Sequence, residues 1–215
     1  MKLYDYFRSS ASYRVRIALN FKNLTYSKHE IHLVNNNGEQ HSDFYKNINP
    51  QCLIPSFIDD SDQATIEQPL SQSLAIIEYL EEKYPKPSIM PQNSFERAFV
   101  RKLAYMIACD IHPLNNLRVL KYLSSELNIT DEQRTAWYQH WLKLGLDSYE
   151  ASISSSYQKG NYSFGKNFTL ADICLVPQVY NALRYQLPMD KYKNIVTIYH
   201  KCLELPAVAA ASPQE

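Results

Sequence analysis

Lys83-Tyr84-Pro85-Lys86-Pro87-Ser88-Ile89-Met90-Pro91 decides the fold. Three prolines in nine residues exclude a continuous helix, because each lacks an amide donor and its ring clashes with the preceding turn. The stretch reads as an extended connector, and it divides the chain into residues 1–84, a linker at 85–91 and residues 92–215. Upstream, short strand-like and helix-like segments alternate. Lys2–Phe7 is a short aromatic strand, and Ser12–Phe21 is a helix with Val15, Ala18, Leu19 and Phe21 at helical spacing. Thr25–Leu33 reads as a strand, Asp43–Asn47 as a short helix, and Pro55–Asp59 and Ala64–Glu67 as two more strands. Ser71–Tyr84 is a helix with Leu74, Ile77 and Leu80 on one side, stopped by Pro85. The order βαβαββα predicts a small helix-covered sheet with parallel crossovers in its first half. Downstream, no segment reads as a strand. Ser94–Asp110, Pro113–Leu127, Asp131–Tyr157, Leu170–Arg184 and Tyr192–Leu205 all read as helices, followed by a small-residue tail from Ala207. Thr130-Asp131-Glu132-Gln133 has the layout of a capping box, and Thr169-Leu170-Ala171-Asp172 repeats it with Asp in the fourth place.

Composition narrows the function classes. The chain has 215 residues, with 22 Lys and Arg against 22 Asp and Glu, so no overall field favours nucleic acid or an anionic membrane. No 18-residue apolar run predicts a membrane span, and the first residues lack the apolar core of a signal peptide. Only Gly38, Gly145, Gly160 and Gly165 are glycines, which excludes a G-x-G-x-x-G turn and a P-loop. Cys52, Cys109, Cys174 and Cys202 are far apart with no C-x-x-C, which predicts a reduced, cytoplasmic protein without a thiol redox centre or bound metal.

Charge is uneven locally. Residues 1–28 carry Lys2, Arg8, Arg14, Arg16, Lys22 and Lys28 against Asp5 alone, around the serine-rich turn Arg8-Ser9-Ser10-Ala11-Ser12. A strand running into a helix there presents unpaired amides and the positive end of the helix dipole, which favour an anion. The serines can cap the helix or donate to such an anion, and both remain open. A second helix start, Leu70-Ser71-Gln72-Ser73-Leu74, offers neutral donors suited to a carboxylate. Ile54-Pro55 precedes a strand, and X–Pro is the one common cis peptide.

Nearly the whole chain resembles a cytosolic glutathione transferase of the zeta class, the family of maleylacetoacetate and maleylpyruvate isomerases. "SSASYRVRIALN" at residues 9–20 is similar to the zeta signature S-S-C-S-W-R-V-R-I-A-L. "QSLAIIEYLEEKYPKP" at residues 72–87 is similar to the family's second helix start and linker. "CDIHPLNN" at residues 109–116, "FTLADICLVPQVYNALRY" at residues 168–185 and the position of Arg8 resemble those of bacterial isomerases. The resemblance implies a thioredoxin-like α/β N-terminal domain that binds glutathione, an all-α C-terminal substrate domain, and a homodimer. It places the thiolate-supporting hydroxyl at Ser9, with Ser10 beside it, and the turn Ala11, Ser12, Tyr13 and Arg14 around the cofactor. Ile54 would pair with the cysteinyl backbone of glutathione, Gln72 and Ser73 would take its γ-glutamyl carboxylate, and Gln40 would lie near its glycyl end. From the helical domain His112, Asn116, Leu117 and Arg118 would line the site. Arg8, Arg118 and Arg184 would hold the carboxylates of a small dicarboxylate substrate.

One departure bears on mechanism. Where the family usually has a cysteine after the two serines, this chain has Ala11, so the sulfur chemistry falls to glutathione. The implied reaction is thiolate addition to the cis maleyl double bond, rotation about the resulting single bond, and elimination to the trans fumaryl product. Lowering a thiol pKa of about 8.5 by two units takes ~2.7 kcal/mol. A helix start contributes ~0.3–2 kcal/mol and a hydroxyl bonded to a charged sulfur roughly 1.5–3 kcal/mol, so Ser9 and the helix suffice without a general base.

Other polar residues read as structural. His29 and His32 lie three apart on a predicted strand, facing opposite sides. Asp172 reads as a folding cap, and Trp137, Tyr138 and Trp141 as core or dimer surface. His112 either lines the pocket or completes a helix turn, and Tyr4, Tyr6 and Tyr13 receive no catalytic role because serines occupy the turn. The first expectation is maleylacetoacetate isomerase of tyrosine and phenylalanine catabolism. Maleylpyruvate isomerase, a general conjugating transferase and a non-catalytic protein of the same fold remain as alternatives.

Overall fold

The structure, a computed structural model, describes residues 1–213. Two compact units emerge, Met1–Ser88 together with the segment from Leu205, and Ile89–Glu204. The first contains β1 (Lys2–Asp5), α1 (Ser10–Phe21), β2 (Ser27–Glu30), α2 (Asp43–Ile48), β3 (Ser56–Ile58), α3 (Gln63–Glu67), β4 (Leu70–Ser71) and α4 (Ser73–Lys83). The sheet order is β2-β1-β3-β4. β1 and β2 are parallel across α1, as the crossover pattern predicts, while β3 is antiparallel to both β1 and β4. Leu3 and Phe57 pair across the sheet on one face, and both are fully buried. Tyr4 points to the other face, where its ring lies 6.0 Å from that of Tyr45 on α2 in a cluster with Tyr6, Ile31 and Ile54.

Several expectations change. Ala64–Glu67 is not a strand but part of α3, because the Asp62 carboxylate caps the Ala64 amide at 3.2 Å and starts a helical turn. The last strand is instead the two-residue β4, so the helix expected from Ser71 begins at Ser73. β2 shrinks to four residues with His29 inside it, and His32 lies beyond it, its Nδ1 accepting the Val34 and Asn35 amides.

Half of the basic cluster is internal. Arg14, Arg16 and Lys22 are 2%, 2% and 4% exposed. Arg16 Nη1 donates to Asp5 at 2.6 Å, Nη2 to the Phe7 carbonyl and Nε to the carbonyl of Ala211. Lys22 Nζ bonds Glu81 at 2.7 Å and the carbonyls of Tyr84 and Pro87. Buried ions need such complete pairing to offset their desolvation.

The expected small-residue tail is the helix α10 (Pro206–Ala211), packed on α1 with Val208 and Ala211 buried. By its contacts the segment from Leu205 groups with the first unit.

The second unit comprises α5 (Ser94–Tyr105), α6 (Leu117–Ser125), α7 (Asp131–Ser154), α8 (Leu170–Arg184) and α9 (Lys193–Leu203). α8 matches its predicted bounds and is buried on nearly every side, as a helix apolar all round must be. The Asp172 carboxylate accepts the Thr169 amide and hydroxyl and the Ser163 amide, which makes it the expected folding cap. The expected helix 94–110 passes into a π-helical stretch, Met106–Ile111, before Pro113. α6 starts four residues later than expected, where Asn116 caps the Arg118 amide. Among the described residues no helix is long and apolar enough to cross a membrane, and no three His, Cys, Asp or Glu residues group to hold a metal.

Candidate functional site

Strand register gathers three segments at one end of the sheet. Tyr4 of β1 faces Ser56 of β3, and Ser56 faces Ser71 of β4. Because β3 runs against both neighbours, the chain leaving β1 toward Ser9, the chain entering β3 through Ile54, and the chain leaving β4 into Gln72 all emerge on the same side.

Ser9 is the N-cap of α1, in extended conformation, and its Oγ accepts the Ser12 amide at 3.2 Å. A hydroxyl has one proton and two lone pairs, so the capping bond uses a lone pair and leaves the proton to donate. Capping and anion binding, two alternatives in the sequence, are therefore compatible at this residue. Ala11 N–H, in the first turn, has no acceptor within the helix. Ser10, Ser12, Tyr13 and Arg14 are buried, Ser9 and Ala11 are half-buried, and Arg8 is exposed with its guanidinium 5.1 Å from the centre of the Phe7 ring.

The Ile54–Pro55 peptide is cis. The Ile54 side chain belongs to the core, while its N–H and C=O meet no hydrogen-bond partner among the described residues. Gln72, the N-cap of α4, has φ +70°, a backbone state costing a non-glycine residue on the order of 1–3 kcal/mol. Its Nε2 donates to Gln51 Oε1 at 2.9 Å. Ser73 Oγ accepts Arg14 Nη1 at 3.3 Å, which joins the start of α4 to the second turn of α1. Gln40 is 6% exposed, with Nε2 3.1 Å from His41 Nε2 and a buried Oε1 that meets no partner among the described residues. This end of the sheet thus offers two helix starts and one open backbone pair. Such an array suits an extended, peptide-like molecule with an anionic atom near Ser9 and a carboxylate near Gln72.

Sequence patterns missed three residues here. Gln51 orients Gln72, and Asn49 and Tyr45 both hold the Leu53 carbonyl, at 2.7 and 2.8 Å. Burial pushes the Tyr45 phenol up to about 12, so it stays a protonated donor. The two Pro dipeptides in Asn49-Pro50-Gln51-Cys52-Leu53-Ile54-Pro55 mark this loop as special, but no local rule assigns partners within it.

In the second unit His112 follows the π-helical stretch, half-buried, and its amide donates to the Ile107 carbonyl. The Asn116 side chain caps α6, Leu117 is half-buried, and Arg118 is exposed beside it. Arg184 ends α8, exposed, with its guanidinium 5.2 Å from the Tyr185 ring centre. Arg8, Arg118 and Arg184 have no carboxylate partner among the described residues, unlike Arg16 and Arg134. A cavity of about 560 Å³ lies against Leu117, Leu120, Lys121, Arg134 and Tyr185, and of the expected site residues only Leu117 lines it.

Residues 3–88 match the family described as glutathione S-transferase, N-terminal domain. The chain is 47% identical over 212 residues to a probable maleylacetoacetate isomerase of Vibrio cholerae, covering 99% of this chain and 95% of that protein. It superposes with a TM-score of 0.93 on the holo structure of a maleylpyruvate isomerase described as a bacterial zeta-class glutathione S-transferase, at 42% identity over 99% of this chain and 97% of the other. The TM-score is also 0.93, at 33% identity and covering 99% and 96%, for a maleylacetoacetate isomerase of Methylobacterium extorquens AM1 whose structure holds malonate and glutathione.

Proposed function

Because the chain belongs to the zeta-class glutathione transferases, the family of maleylacetoacetate and maleylpyruvate isomerases, we propose that it is a glutathione-dependent cis–trans isomerase acting on maleylacetoacetate. The observation that carries the reading is Ser9, whose oxygen accepts the Ser12 amide at the start of α1 while its hydroxyl meets no acceptor among the described residues.

The residues fit glutathione. The open N–H and C=O of Ile54 suit the backbone of its cysteinyl unit, and Gln72 and Ser73, at the positive start of α4, suit its γ-glutamyl carboxylate. The buried side chain of Gln40 suits the glycyl end. When bound, glutathione supplies the thiolate whose reversible addition lets the maleyl double bond rotate. The Ser9 hydroxyl would donate a hydrogen bond to the sulfur and, with the Ala11 amide, favour its ionised form; Ser10 completes the turn. Ala11 brings no thiol of its own, so Ser9 acts on the cofactor's sulfur alone. Arg8 in the first unit, and Arg118 and Arg184 in the second, carry guanidinium groups suited to a substrate carboxylate and to negative charge growing on a carbonyl oxygen, since a guanidinium matches both planar groups. In the helical unit, His112, Asn116 and Leu117 are the further proposed ligand-binding residues.

A turnover assay with catalytic glutathione and each of the two maleyl substrates tests the reading. Faster turnover of maleylacetoacetate supports it, and faster turnover of maleylpyruvate assigns the second substrate. Stoichiometric consumption of glutathione, or no turnover, overturns the isomerase. We place the protein in the cytoplasm, where its four free thiols stay reduced, as a homodimer without nucleic-acid or membrane partners. Sedimentation at several concentrations checks the dimer.

A further inference from the structure

We propose that Asn49 is a positioning residue that sets the Ile54 backbone and the Gln72 side chain together, so that one buried amide aligns both halves of the cofactor site. The inference rests on the glutathione reading above. Asn49 is 3% exposed at the end of α2 and uses both ends of its amide within the following loop. Its Nδ2 donates to the Leu53 carbonyl at 2.7 Å, and its Oδ1 accepts the Gln51 amide at 3.1 Å. The Leu53 carbonyl takes a second bond from Tyr45 Oη at 2.8 Å, and that hydroxyl also meets Ser56 Oγ at 2.9 Å on the first residue of β3. The residue before Ile54 is therefore held from two directions, and the orientation of the Ile54 peptide groups follows.

The other half runs through Gln51. Its amide is fixed by Asn49 Oδ1, and its side-chain Oε1 receives Gln72 Nε2 at 2.9 Å. Between them Cys52 adopts φ +54°, with its amide bonded to the Asn49 carbonyl at 2.9 Å. A loop held in the left-handed region by a β-carbon residue stays there only if its surroundings over-determine it. Asn49 supplies three of the bonds that do so: one from its carbonyl and two from its side chain. No single-function residue meets the requirement, because a donor toward Leu53 and an acceptor toward Gln51 must come from one short side chain, which an amide provides.

Calorimetric titration with glutathione and steady-state kinetics on the full chain test the proposal with Asn49→Ala, Asn49→Asp and Tyr45→Phe. Loss of one net hydrogen bond corresponds to about tenfold in an equilibrium constant. Asn49→Ala should therefore raise the Kd and KM for glutathione about tenfold, with kcat at saturating glutathione, the KM for the dicarboxylate and the pH profile unchanged. Asn49→Asp keeps the acceptor for Gln51 but loses the donor to Leu53, so it should restore protection of the Gln51 amide from hydrogen exchange without restoring affinity. Tyr45→Phe, which leaves Asn49 intact, should give a smaller rise in KM and serves if Asn49→Ala does not fold. An Asn49→Ala protein with lowered thermal stability but unchanged glutathione KM, or with both KM values raised alike, overturns the proposal. If the parent protein itself fails to bind glutathione, the cofactor reading falls; exchange at Gln51 then decides Asn49 alone, faster exchange in Asn49→Ala supporting its hold on the loop and unchanged exchange ending it.

Discussion

Arg14 Nη1 donates to Ser73 Oγ at 3.3 Å, and both side chains are buried. The contact links the second turn of α1 to the first residue of α4, two helices whose starts carry Ser9 and Gln72, so the separation of the two anion-favouring ends is set inside the protein rather than by a ligand. Replacing Arg14 by Met takes this donor from the buried Ser73 hydroxyl and should cost about 1–3 kcal/mol of stability. It should also raise the glutathione KM more than the dicarboxylate KM. Urea unfolding and kinetics check both.

Ser9→Ala removes a hydroxyl bonded to a charged sulfur, worth ~1.5–3 kcal/mol, so turnover at pH 7 should fall about tenfold to a hundredfold. The thiol pKa rises, and the deficit should shrink as pH increases. The lost cap costs a further ~1 kcal/mol of stability. Ser9→Asp should recover that stability but not the rate, because a carboxylate repels the thiolate. Equal rates for Ser9→Ala and parent at pH 7 remove Ser9 from the mechanism.

Arg184 has no acidic partner among the described residues and lies over the Tyr185 ring, so its charge is available for a substrate carboxylate. Arg184→Ala should raise the dicarboxylate KM about tenfold or more while the glutathione KM stays within a factor of about two. The reverse pattern, measured in the same assay, removes it from the substrate site.

Asp59 is 1% exposed. Burial alone would raise its carboxyl, but the hydroxyls of Tyr84, Ser61 and Tyr79 and the Ser61 amide hold it well below the usual carboxylate range. A depressed folded-state value means the carboxylate stabilises the fold above about pH 4 and that this contribution fades as acid protonates it. Asp59→Asn should destabilise by about 1–3 kcal/mol at pH 7, with the gap from parent narrowing below pH 4. Urea midpoints across that range measure it.

Gly145 lies inside α7, where alanine is intrinsically better by about 1 kcal/mol. A Cβ there would stand 2.2 Å from Ile111 Cδ1 and Cγ1. Gly145→Ala should therefore lower stability by about 1–3 kcal/mol, and Ile111→Ala in the same chain should relieve part of that loss. Thermal unfolding of the single and double variants separates the two effects.

Local rules made some of this structure legible. A serine cap before the first helix (which starts at Ser10 rather than the expected Ser12), the Pro85 stop and the helix Leu170–Arg184 with its Thr169 and Asp172 cap depend on neighbours within four residues. Ala64–Glu67 misled because Thr65 and Ile66 favour strands, whereas the Asp62 cap favoured a helical turn. β4 is two residues long and exists only through its pairing with Ser56 and Phe57. At the site, the serine turn and the start of α4 were visible as motifs, while the Gln51–Gln72 contact and the double hold on Leu53 were not.

By itself the chain's order of residues determined two domains, their classes, the anion-favouring turn at Ser9 and the family. Those properties follow from periodicity, proline placement and long matched strings. Only the tertiary structure decided which charges are structural and which are available. Arg14 and Lys22 find partners 59 residues away, and Arg16 finds the Ala211 carbonyl 195 residues away. A cation's burial depends on what the folded chain brings against it, and no local pattern encodes a partner at that separation.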